Sequence, residues 1–140
     1  MKVGFIGLGH MGGPMCRNII KGGHQVVVHD LVEEAVQACV GLGATAGGSI
    51  GGVAGQVEVV MTSLPMPKDV EAVALGPDGI GEHAPPGTIF VDLSTNSPAM
   101  MRRIAAELAP KDIVTLDGPV SGGVAGAEAA TIAIMVGGDR

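Results

Sequence analysis

Short apolar runs alternate along this chain with stretches whose apolar residues return every three or four positions, the pattern of strands and helices taken in turn. The first run, Val3-Gly4-Phe5-Ile6, precedes Met11, Met15 and Ile19 at four-residue spacing. That spacing predicts a helix burying all three, with Pro14 tolerated in its opening turn and a stop at Gly22-Gly23. Gln25-Val26-Val27-Val28-His29 reads as a second strand, and about Glu33 to Leu42 as a second helix with Ala35, Val36, Cys39 and Val40 inward. Gly43 to Gly55 is rich in Gly, Ala and Ser and predicts a short strand, then a weak helix after Ser49. Val57 to Thr62 is expected as the fourth strand, Lys68 to Leu75 as a helix and Thr88 to Asp92 as the fifth strand. Ser97 and Pro98 supply the cap and first position of a helix reaching Ala109, which Pro110 ends. Asp112 to Asp117 is a sixth strand and Thr131 to Val136 a last one of open direction. The alternation predicts an α/β fold, doubly wound, with helices on both faces of a mostly parallel sheet.

Where the first strand meets the first helix the chain reads Gly7-Leu8-Gly9-His10-Met11-Gly12, and Asp30 closes the second strand. An acid about 20 residues beyond such glycines, in strand-turn-helix-strand context, is the dinucleotide-binding fingerprint of a Rossmann-type sheet. Gly7 permits the tight turn, Gly9 removes the Cβ that would block a pyrophosphate, and Gly12 lets helix and strand pack closely. The helix start offers free N–H groups and a positive dipole end to phosphates. Asp30 can accept hydrogen bonds from ribose hydroxyls, and its charge repels a 2′-phosphate. Leu31-Val32-Glu33-Glu34 adds two acids and no Arg, so NAD is favoured over NADP. The candidate cofactor contacts are thus Gly7, Leu8, Gly9, His10, Met11, Gly12, Asp30 and Leu31, with His10 able to donate to phosphate or to face solvent. A methyltransferase or flavin enzyme can share a glycine turn and a strand-end acid, so the cofactor class stays open on these residues alone.

Ligands in such sheets bind beyond the carboxyl ends of the strands. Three polar segments fall there: Ser63-Leu64-Pro65, Asp92-Leu93-Ser94-Thr95, and Asp117 through Gly123. Ordinary turn chemistry accounts for the first. Ser121-Gly122-Gly123 combines successive small residues with a hydroxyl, a concave anion site suited to a substrate carboxylate.

Composition narrows the reading. At 140 residues the chain fits a single domain over 1–140, and with two Phe and neither Trp nor Tyr its core must be aliphatic. A net charge of −6 with scattered Lys and Arg provides no basic face, which excludes a nucleic-acid partner. Cys16 and Cys39 match no metal or redox spacing and read as buried thiols, while His24, His29 and His83 lack partners for metal or nucleophilic chemistry. Lys2, Lys21, Lys68 and Lys111 read as surface charges, so no catalytic residue is assigned in this chain. Glycines and Arg17 break the N-terminal apolar stretch, so neither a signal peptide nor a membrane span is expected and the location is cytoplasmic.

Gly4-Phe5-Ile6-Gly7-Leu8-Gly9 with Met11-Gly12 and Pro14-Met15, Asp92-Leu93-Ser94-Thr95, and Asp117 through Gly123 together resemble the β-hydroxyacid dehydrogenase family, over nearly the whole chain. Pro119-Val120-Ser121-Gly122-Gly123 is the more specific signature; Gly118 and Ala129-Ala130 are small-for-small departures. The resemblance implies that Leu64 and Pro65 flank the adenosine and nicotinamide ribose path, that Thr95 lies by the nicotinamide, and that Ser121, Gly122 and Gly123 hold a small carboxylate substrate. It implies NAD-linked oxidation of a β-hydroxyacid such as 3-hydroxyisobutyrate, or the reverse reduction of a semialdehyde. In the family a helical second domain carries the catalytic lysine, whereas this chain ends at Arg140. The expectations are a fragment inactive alone that self-associates through the surface left uncovered. The competing expectation is a non-catalytic nucleotide-binding module used for sensing or assembly.

Overall fold

The computed structural model describes residues 1–138. Six parallel strands form one sheet in the order β3-β2-β1-β4-β5-β6. They are β1 (Lys2–Ile6), β2 (Gln25–His29), β3 (Thr45–Ala46), β4 (Val59–Thr62), β5 (Ile89–Asp92) and β6 (Val114–Asp117). The crossovers are α1 (Gly12–Lys21), α2 (Glu33–Val40), α3 (Ile50–Ala54), α4 (Pro67–Leu75) with the single turn α5 (Ile80–His83), and α6 (Pro98–Leu108). The chain winds outward from β1 to β3, returns to pair β4 on the other edge of β1, and continues to β6. The order therefore reverses beside β1, the switch point at which a doubly wound sheet opens a crevice.

Alternation along the strands builds two cores, because successive side chains point to opposite faces. Ile6, Val27, Val60 and Phe90 face α3, α4, α5 and α6, where Val53, Val70, Ile80, Ile104 and Leu108 meet them. Phe5, Val26 and Val28 face α1 and α2 through Met15, Cys16, Val36 and Cys39. Both cores are aliphatic except for one fully buried Phe in each, as the composition requires.

Several boundaries differ from the sequence expectation, each for a local reason. The second helix stops at Val40 because the N–H groups of Leu42 and Gly43 turn back to Cys39 and Val40, leaving Leu42 exposed. Val57 is buried, but the ladder of β4 starts at Val59 opposite Val3. Thr88 closes a turn onto the Pro85 carbonyl, and β5 starts one residue later. The helix before Pro110 ends at Leu108 and tightens into a 3₁₀ turn over Ala109–Lys111, so β6 begins only at Val114. Met15 alone of that stripe is fully enclosed; Ile19 is half-buried, and so is Met11, which sits before the first helical residue at the rim of the crevice.

The C-terminal part departs most. The predicted last strand shortens to β8 (Ala133–Ile134), which runs antiparallel to β7 (Val120–Ser121) in a separate ribbon. Between them lies α7 (Gly123–Ala129), absent from the sequence expectation because Gly and Ala fill most of it and no apolar stripe marks it. A single antiparallel bridge from Asp117 to Gly137 ties this ribbon to the edge of the sheet.

Candidate functional site

A cleft of about 750 Å³ opens at the carboxyl ends of β1, β2, β4 and β5. Gly7, Gly9, His10, Met11 and Gly12 line its floor, Asp30 and Leu31 one end, Leu64, Pro65 and Thr95 the wall across from them, and Gly123 the far rim. Eleven of the sequence-predicted site residues thus meet in one crevice. Leu8 does not line it: its side chain is buried among Phe5 and Met15, and its N–H is what faces the site. Ser121 and Gly122 are exposed beside the cleft and outside its wall, with Gly122 at φ 134° immediately before α7.

The turn from β1 to α1 has the shape a diphosphate needs. Gly7 sits at φ 96°, where a Cβ would collide with the Ser63 carbonyl oxygen. A Cβ on Gly12 would strike the Gly7 carbonyl, so a larger residue would push α1 off the strand. Gly9 has nothing within 4 Å of its missing Cβ and opens straight into the crevice. The first turn of α1 holds no acidic side chain, and no side chain caps its N-terminus. Its amides and positive dipole end are thus left for an anion.

Asp30 is fixed by backbone donors rather than by a cation. Oδ2 accepts the Leu8 N–H at 2.6 Å and Oδ1 accepts the Val32 N–H at 2.8 Å. These bonds lock the glycine turn to the end of β2 and leave a second lone pair on each oxygen for ribose hydroxyls. Leu31 is almost fully exposed beside it, and Glu33 and Glu34 open α2.

The opposite wall rests on a buried polar cluster. Asp92, fully enclosed, accepts from Thr62 Oγ1 at 2.8 Å and the Ser94 N–H at 3.1 Å through Oδ1, and from Asn96 Nδ2 at 3.1 Å through Oδ2. Ser94 Oγ in turn accepts the Leu64 N–H at 2.8 Å. One strand away, burial and then the Asp92 charge raise the Asp117 carboxyl above the usual carboxylate range.

Ile50, Asp69, Ala72 and Val73 also line the cleft, beyond the residues expected from sequence. The three in α4 share one helix stripe, and the signal that could have found it is the opening Pro67-Lys68-Asp69, with Asp69 Oδ2 accepting the Met66 N–H. Cys16 and Cys39, distant in sequence, meet between α1 and α2; the hydrogen bond between them, with burial, pushes Cys16 up.

None of the four lysines lines the cleft; Lys2 bonds Gln56 and Lys111 bonds the Gly81 carbonyl. Among the described residues no helix is long and apolar enough to cross a membrane.

Known proteins share this fold. The family model for the NAD binding domain of 6-phosphogluconate dehydrogenase matches residues 2–140. The chain is 44% identical over 138 residues to an NAD-dependent L-serine dehydrogenase of Pseudomonas aeruginosa, covering 99% of this chain and 46% of that protein. A solved 3-hydroxyisobutyrate dehydrogenase of Mycobacterium tuberculosis, with L-serine, superposes at a TM-score of 0.93 and 37% identity over 99% of this chain and 47% of its own. Another structure, Psf3 in complex with NADP+ and 2-OPP, matches at a TM-score of 0.92 and 32% identity, over 98% of this chain and 49% of that one. The chain spans about half the length of the relatives it matches. With the glycine turn, its strand-end acid and the doubly wound sheet in place, the chain belongs to the NAD-binding domain family of 6-phosphogluconate dehydrogenase and its hydroxyacid dehydrogenase relatives, of which 3-hydroxyisobutyrate dehydrogenase is one.

Proposed function

We propose that residues 1–140 form one cofactor domain that binds NAD in the cleft and serves hydride exchange with a small β-hydroxyacid, of which 3-hydroxyisobutyrate and L-serine are the first candidates. The observation that carries this is the open Gly9 position facing unopposed helix amides, with Asp30 held at one end of the same crevice. In this reading the amides of Gly9 to Gly12 hold the pyrophosphate, with His10 and Met11 at its edge. Asp30 accepts the adenosine ribose hydroxyls and Leu31 covers the adenine. Leu64 and Pro65 flank the path toward Thr95, where bound NAD supplies the hydride acceptor. Ser121, Gly122 and Gly123 orient the substrate carboxylate at the far rim.

NAD is preferred to NADP on this chain's own charges: Asp30 is followed closely by Glu33 and Glu34, and the segment Leu31-Val32-Glu33-Glu34 brings no Arg to receive a 2′-phosphate. That Psf3 was captured with NADP+ belongs to Psf3 and does not transfer across this acidic edge. No lysine lines the cleft, and in this reading the chain alone turns over slowly. The same observation favours, as a second reading, a module that binds the nucleotide without catalysis. Two buried thiols suit a reducing, cytoplasmic setting.

Titration calorimetry is expected to show NADH binding at least about tenfold tighter than NADPH, a gap of about 1.4 kcal/mol that Asp30→Ala narrows. The same sample given NAD and 3-hydroxyisobutyrate should reduce coenzyme at a rate lowered by at least about 10² relative to an enzyme that has its acid–base group. Absence of NADH binding sinks the cofactor reading, and brisk turnover sinks the inactivity.

A further inference from the structure

We infer that Asp92 is a positioning residue for the nicotinamide half of the cleft: its buried carboxylate brackets the loop after β4 to the loop after β5, so that Leu64 and Thr95 stand in fixed register. The inference rests on the cofactor reading above.

Asp92 ends β5 with no exposed surface, and no cation is paired with it among the described residues. A buried charge of that kind costs stability unless hydrogen bonds compensate it, and an apolar residue at the same strand position would avoid the cost. What the carboxylate provides instead is a junction. It gathers the Thr62 hydroxyl from β4, the Ser94 N–H from the loop after β5, and the Asn96 side chain farther along that loop. The link is completed from the opposite direction, because Ser94 Oγ holds the Leu64 N–H. Thr95 lies between two bonded neighbours, Ser94 and Asn96, and is tied through Ser94 to the wall that carries Leu64.

Sheet order says which half of a dinucleotide this bracket touches. Asp30 ends β2 on one side of β1, whereas β4 and β5 lie on the other. A coenzyme with its diphosphate over the β1–α1 turn and its adenosine at Asp30 must lay its other half across β4 and β5. Loosening Asp92 should therefore weaken contacts to that half and spare the adenosine end.

The test compares NADH with ADP-ribose, which lacks the nicotinamide, by calorimetry on the full chain. For Asp92→Asn, whose amide must set N–H against N–H somewhere in the cluster, the Kd for NADH is expected to rise about tenfold while that for ADP-ribose changes less than about twofold. Ser94→Ala, which cuts the bracket without touching the charge, should show the same selectivity at smaller size. Joining Asp92→Asn with Asn96→Asp, which reverses donor and acceptor, should restore NADH binding in part. Equal losses for both ligands, or no loss for either, in folded Ser94→Ala and Asp92→Asn overturn the inference while leaving the NAD site intact. Failure of the unaltered chain to bind either ligand removes the cofactor reading and this inference with it.

Discussion

At the scale of single residues, two acids at neighbouring strand ends behave differently because their partners differ. Asp92 is surrounded by donors, whereas among the described residues Asp117 exchanges its backbone N–H and C=O with Gly137 and its carboxyl meets no donor of that kind. Burial and the Asp92 charge hold the Asp117 carboxyl above the usual range. A carboxyl raised in the folded state binds its proton more tightly folded than unfolded. Its favourable contribution is therefore complete at low pH and is lost as pH climbs past the unfolded value of about 3.9 to the raised folded one. Asp117→Asn removes that loss, so the variant should gain stability over the natural chain as pH rises from about 3.5 and hold the gain at neutrality. Urea unfolding at several pH values checks it, and parallel stability curves contradict it. Such individual environments were only half legible in the sequence. The glycine turn and Asp30 follow a spacing that encodes their geometry, and they meet as expected. The bracket around Asp92 joins residues 62, 64, 94 and 96, and nothing local to either segment announces that the other lies beside it.

At the scale of elements, periodicity worked where a side-chain stripe had to face a core and failed where small residues let backbones touch. β1, β2 and α1 carry strong patterns and fell within a residue or so of expectation. α7 has no such stripe; Ala127 is its one buried residue. What holds α7 in place is partly Asn18 on α1, whose Nδ2 donates to the Ala127 carbonyl at 2.7 Å, among the last carbonyls of α7. Asn18→Ala should leave that carbonyl with only the longer bond from the Ala130 N–H, at a cost of about 1 kcal/mol, felt locally. Hydrogen exchange is expected to quicken over Gly123–Ala129 and stay unchanged in β1 and β4. A uniform quickening across the sheet would show that the bond supports the whole domain instead. Because α7 begins at Gly123, on the rim of the cleft, the same change should make the approach to Ser121 less ordered.

Over the whole molecule, exposed large apolar residues occur at several places, and one group of them follows Gly123. Val124, Ile134, Met135 and Val136 are each more than 40% exposed, and they belong to α7, β8 and the residues after it. Apolar clusters of this kind mark contact surfaces. We propose that they are covered by another folded unit, and that in the isolated chain they drive self-association. Light scattering should give an apparent mass that climbs with concentration, and Met135→Lys with Val136→Lys should hold it near the monomer; a constant mass in the unaltered chain refutes this. Fold class was readable from alternation alone, since parallel strands need helical crossovers and those crossovers must cover both faces. The separate ribbon was not, because two-residue strands lie below the length at which alternation has any statistical weight.

The placement of β1 between partners of very different sequence distance has a consequence for synthesis. Lys2 finds Gln25 early, but Val3 waits for Val59 before its other edge is closed. A nascent chain leaving the ribosome can therefore pair β1 with β2 while one flank of β1 remains an open template. Until the fourth strand emerges, that flank is the place where a chaperone would bind or a neighbouring nascent chain would misjoin.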